Sequence, residues 1–115
     1  MKPECLAQAQ RLLALDNRLA VTNCDLAHKD FGGVKQGLQD VAIQSKLLAQ
    51  DGLIGDKILP IFEYVTKQGQ VWMDEDNIEE LKKQLEALHE FSEQLLLQAV
   101  VDCECDGAGD NQWLR

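Results

Sequence analysis

The side chains with chemistry to offer in this 115-residue chain are four cysteines, two histidines and a crowd of carboxylates toward its C-terminal end. The cysteines are Cys5, Cys24, Cys103 and Cys105. A four-cysteine zinc site is built from paired knuckles in which two to four residues separate the ligands. The one close pair here, Cys103-x-Cys105, is too tight for that. Cys24 and His28, four residues apart on a helix, make a half-site that lacks a second half. Cys5 can reach Cys103 or Cys105 if the first and last helices share a pole, which allows a disulfide under oxidation. The alternative is a set of small reduced thiols that pack as minor hydrophobes.

Two further runs resemble known devices in part. Asp102-x-Glu104-x-Asp106-Gly107, followed by Asp110, resembles the calcium loop of EF-hands at its first, third, fifth, sixth and ninth positions. The twelfth position, which should supply a bidentate glutamate, is Trp113. Leu26-Ala27-His28-Lys29-Asp30-Phe31-Gly32 resembles the phosphorylated histidine segment of histidine-phosphotransfer bundles in its spacing to glycine. Phe31 replaces the basic residue that would hold a phosphoryl group. His89 reads as a flank residue of the last helix. No nucleophile elbow, phosphate-cradling glycine loop or paired-histidine metalloprotease motif occurs. No catalytic residue, cofactor or metal site is therefore expected, and the chain reads as a non-enzyme.

Charge is distributed unevenly. Residues 1–73 carry eight basic and eight acidic side chains, whereas residues 74–115 carry three basic and twelve acidic ones, the entire net charge of −9. Nucleic-acid phosphates need Lys and Arg, so no nucleic-acid partner is expected for the last third. An acidic surface there instead favours a basic protein partner, a cation, or plain solubility. No apolar run reaches the roughly 18 residues of a membrane span. The N-terminus shows no secretory core. The expected setting is the cytoplasm, without membrane contact.

These side chains must be positioned by helices, because the apolar residues recur at spacings of three and four. The first helix is expected from about Pro3 to Ala20, with Pro3 at a first helical position. The second runs from about Asn23, where Thr22-Asn23-Cys24-Asp25 suggests a capping box, to Gln50. Its seam is Cys24, Ala27, Phe31, Val34, Leu38, Val41, Ser45 and Leu48. Gly32, Gly33 and Gly37 interrupt it, so a bend near Gly32-Gly33 or a loop at 30–33 is expected. Gly33 and Gly37 share a face that would admit a close neighbour. A third helix spans about Lys57–Gln68, capped by Asp56 and ended by Gly69. The fourth starts at an Asp74 cap with a Met73/Ile78 staple. It carries Ile78, Leu81, Leu85, Leu88, Ser92, Leu95 and Ala99 inward, to about residue 102.

The expected fold is all-α: an antiparallel bundle of about four helices with a long C-terminal helix and an acidic tail. Residues 1–105 form one helical domain, and 106–115 form a Gly/Asp-rich tail in which Trp113-Leu114 is an apolar pair. On the fourth helix the apolar surface spreads beyond one face at Leu96, Leu97, Val100 and Val101, beside acidic Glu79, Glu86, Glu90 and Glu93. A helix apolar on more than one face lies deep in a core or meets a partner. These eight residues are the expected partner-binding surface of a small acidic adaptor, inhibitor or chaperone-like subunit, and a homodimer is compatible with the long seams. The alternatives are a metal- or redox-responsive protein using the C-terminal Asp/Cys cluster, and phosphotransfer at His28.

Overall fold

The computed structural model describes the backbone of residues 3–106 and the side chains of residues 3–103. Four helices follow one another: α1 Pro3–Ala27, α2 Phe31–Gln50, α3 Leu59–Asp74 and α4 Ile78–Asp106. Each helix packs on its chain neighbours, and α1 closes the ring against α4. Short connections make successive helices antiparallel, which is the up-down-up-down bundle expected from the periodicity. The C-terminal tail beyond Asp106, with most of the calcium-loop-like run, lies outside the described residues.

The core is the inner stripe of each helix. Leu12, Leu15 and Leu19 of α1, Val34, Leu38 and Val41 of α2, Phe62 and Val65 of α3, and Leu81, Leu85 and Leu88 of α4 are all buried. Ile54, from the connection between α2 and α3, plugs one end. Burying each such side chain is worth about 1.5–3 kcal/mol. Thr22, Ser45 and Ser92 are buried polar exceptions. The Thr22 and Ser45 hydroxyls reach backbone carbonyls one turn back, of Arg18 and Ala42, and that of Ser92 reaches the Asp16 carboxylate on α1, so none is left unpaired.

The helix boundaries differ from expectation, and the reason lies in how the helices stop. α1 continues through Thr22-Asn23-Cys24-Asp25 to Ala27, so the supposed capping box is helix interior. The chain turns at His28-Lys29-Asp30 instead. There the Lys29 N–H donates to Leu26 O and the Asp30 N–H to Asp25 O, with Lys29 at φ 60°. This is a Schellman ending without its usual glycine. Asp30 then caps α2, its carboxylate accepting from the Gly33 N–H at 3.0 Å. The turn before α4 repeats the pattern: Asp76 N–H to Met73 O, Asn77 N–H to Trp72 O, and Asp76 at φ 56°. Asp74 is accordingly the last residue of α3 and not the cap of α4. At the end of α2 the same pair of bonds recurs with glycine in the left-handed position, Gly52 at φ 77°.

Gly69 does not end α3. It is buried mid-helix, where an added Cβ would lie 2.7 Å from Leu38 Cδ1. Gly37 performs the same service between α1 and α2: a Cβ there would collide with the buried Thr22 side chain, 2.9 Å from its Cγ2. Gly33 faces Asp25 in the same way. The close approach expected at Gly33 and Gly37 is thus made by α1.

The molecule measures 54 × 26 × 18 Å. α2 has 20 residues and α4 has 29, about 30 and 43 Å at 1.5 Å per residue. Arg11 is ion-paired with Asp51, just past α2. The first turns of α1 and the last turns of α4 therefore run on as a two-helix stem. A disulfide between Cys5 and Cys103 clasps it, with Cα atoms 5.5 Å apart.

Candidate functional site

Three surfaces bear on function: the outer face of α4, a polar cluster between α1 and α4, and a groove between α2 and α3. On α4 the inward row is Leu81, Leu85, Leu88 and Ser92. At 3.6 residues per turn, the opposite side carries Glu79, Glu86, Glu90, Glu93, Leu97 and Val101. All six are exposed, Leu97 by 65% and Val101 by 50%. Leu96 and Val100 are half-buried, and Leu96 packs against the core cluster. The structure thus separates the eight expected partner residues. Six form an outward acidic-to-apolar row, and two lean toward the body of the bundle.

The cluster joins α1 to α4. His89 and Glu93 stand one turn apart on α4, and Asp16 approaches from α1. His89 Nε2 lies 3.3 Å from Asp16 Oδ1 and 3.4 Å from Glu93 Oε1. The buried Ser92 hydroxyl lies 2.6 Å from Asp16 Oδ1 and orients that carboxylate. Asp16 and His89 are partly covered, whereas Glu93 opens to solvent. This arrangement is not apparent from residue type: in the sequence His89 looks like a flank residue, and Asp16 is one acid among many. The His89/Glu93 spacing was visible, but the partner 73 residues upstream requires the α1–α4 register.

The groove has a volume of about 600 Å³. Leu38, Ala42 and Leu59 line it, with Lys35, Lys46 and Lys67 around them. No ion pair forms with these lysines among the described residues. The furrow between α2 and α3 is thus locally basic, with three lysines against one carboxylate, Glu63.

The other chemical candidates are dispersed. His28, expected on a helix, lies in the turn after α1, with Nδ1 2.8 Å from Cys24 O and 3.6 Å from Cys24 Sγ. Cys24 is a free, exposed thiol at the pole opposite the stem. Cys103, bonded to Cys5, is not a thiolate ligand. No helix among the described residues is long and apolar enough to cross a membrane.

The fold defines the class, an all-α four-helix bundle. Set against known proteins, the chain matches no family model, no curated protein and no solved structure. The function must be read from the surfaces themselves.

Proposed function

We propose that the protein is a non-enzymatic protein-interaction module that docks through the outer face of α4. The observation that carries this reading is the exposure of Leu97 and Val101 in line with Glu79, Glu86, Glu90 and Glu93. An apolar pair next to a row of carboxylates suits a partner with basic residues around an apolar pocket. The charges raise the encounter rate and orient the approach, while desolvation of Leu97 and Val101 supplies binding energy at the centre. Adaptors, inhibitors and chaperone-like subunits all work through such faces, and a second copy of the chain is an admissible partner. In a reducing cytoplasm, the location expected from the sequence, Cys5 and Cys103 stand as two thiols that close on oxidation.

The test is affinity capture from native extract with the full chain and two variants. The double variant Leu97→Glu/Val101→Glu should lose the captured partner. Ile43→Glu, at an exposed apolar position of α2, should keep it. A strictly monomeric protein that retains nothing, or capture that Leu97→Glu/Val101→Glu leaves unchanged, overturns the reading. The redox-responsive reading rests on one observation, the Cys5–Cys103 bridge. It predicts a partner whose capture changes when dithiothreitol is added.

A further inference from the structure

We propose that Asp16, His89 and Glu93 form a binding site for a divalent transition-metal ion of the zinc type, bridging α1 and α4. The helix geometry brings the donors together. His89 and Glu93, at i and i+4, present their side chains one above the other on α4. Asp16 completes a triangle from the facing helix. The three ligand atoms lie within 4.8 Å of one another.

The distances favour a shared ion over a hydrogen-bonded pair. At 3.3 and 3.4 Å, both contacts of His89 Nε2 exceed the ordinary N–H···O range of about 2.7–3.2 Å. A single ring N–H also points to only one acceptor. Two ligands of a tetrahedral ion, each about 2.0–2.1 Å from the metal, stand roughly 3.3–3.4 Å apart. The two separations match the edges of such a tetrahedron. Ser92 plays the supporting part, its hydroxyl fixing the Asp16 carboxylate at 2.6 Å, as outer-sphere partners do in metal sites. Glu93, more than half exposed, leaves a side open for water as the fourth ligand.

Donor chemistry selects the ion. An imidazole nitrogen with two carboxylates suits zinc and its transition-metal neighbours. Calcium and magnesium take oxygen donors, six or more in number, which this site does not provide. Two ionised carboxylates balance the charge of a divalent ion. The imidazole binds such an ion in its neutral form.

The site is independent of the docking face in all but Glu93. Isothermal titration of zinc chloride into the full chain would test it, with Cys24→Ser and Cys105→Ser in place so that no cysteine outside the Cys5–Cys103 bridge competes and the disulfide is retained. One ion per chain should bind, with the unfolding midpoint raised in excess zinc. Cobalt should give the visible absorption of a tetrahedral nitrogen/oxygen site. His89→Ala and Asp16→Asn should each weaken binding at least tenfold, while Glu63→Gln, at an exposed position of α3, should leave it unchanged. Circular dichroism checks that each variant remains folded. Absence of zinc binding, or binding that His89→Ala leaves intact, overturns the proposal. Calcium binding as tight as zinc does the same, because it would show only an acidic surface.

Discussion

The two helical hairpins of this bundle, α1–α2 and α3–α4, turn in the same way and are built differently along their length. Each reverses through a Schellman ending whose left-handed residue is not glycine, Lys29 in one and Asp76 in the other. Beyond the turn they diverge. The first hairpin is locked by small residues, Gly37 against buried Thr22 and Gly33 against Asp25, and by the Arg18–Asp40 ion pair at 2.9 Å. The second brings larger groups together, with Trp72 and Leu81 buried, and displays the chain's acidic surplus on its outer side. Turn chemistry sets topology here, while the character of each helix face sets what the hairpin can do.

Separating the hairpins should give the largest effect. Cys5→Ser removes the covalent tie between the start of one and the end of the other, 98 residues apart in sequence. Closing so long a loop constrains the unfolded chain, and losing it should cost about 2–4 kcal/mol. A thermal melt without reductant should show a fall of roughly 10 °C or more. A change of only a degree or two would mean that the core alone holds the hairpins together.

The glycines probe the difference in packing. Gly37→Ala should destabilise by about 1–3 kcal/mol, because buried Thr22 cannot withdraw. Adding Thr22→Ala should recover part of that loss in urea unfolding. Gly69→Ala meets the flexible tips of Leu38 and Leu81, and helix propensity returns about 1 kcal/mol. It should change stability by less than about 1 kcal/mol. Equal losses at both sites would erase the distinction between the locked α1–α2 contact and the yielding contact of α3 with its neighbours.

The turns should give the smallest effects. Lys29→Gly relieves a left-handed lysine and should stabilise by about 1 kcal/mol. Asp76→Gly should gain less, since aspartate tolerates that conformation better. Urea midpoints of the two variants rank them, and a larger gain at Asp76 would contradict the shared account of the turns.

Much of the bundle was legible in the sequence. The inward rows from Val34 to Leu48 and from Leu81 to Ser92 follow from spacing alone, as does the option of joining Cys5 to Cys103. The stop of α2 at Asp51-Gly52 was legible from its glycine, whereas the stops of α1 and α3 were not, because neither has a glycine in that position. Lys29 and Asp76 occupy left-handed positions that commonly hold glycine, while Gly69 allows two helices to touch. An ending held by backbone bonds leaves little trace in residue type. The seam at Cys24, Ala27 and Phe31 failed for the same reason: the turn falls inside it, and all three are largely outside the core. Of the candidate surfaces, the exposed α4 row could be drawn from periodicity. The Asp16–His89 contact and the lysine-rimmed furrow needed the register between helices.

The sulfur bridge gives the oxidised chain the connectivity of a ring, since the backbone from Cys5 to Cys103 begins and ends at one bond. A single cut then opens the ring without dividing the molecule. The connection from Asp51 to Ile58 is the natural place for one, as Asp56 and Lys57 are exposed there. Trypsin acting after Lys57 would leave two hairpins still joined at the stem, travelling as one species in denaturant until a reductant releases them as separate pieces.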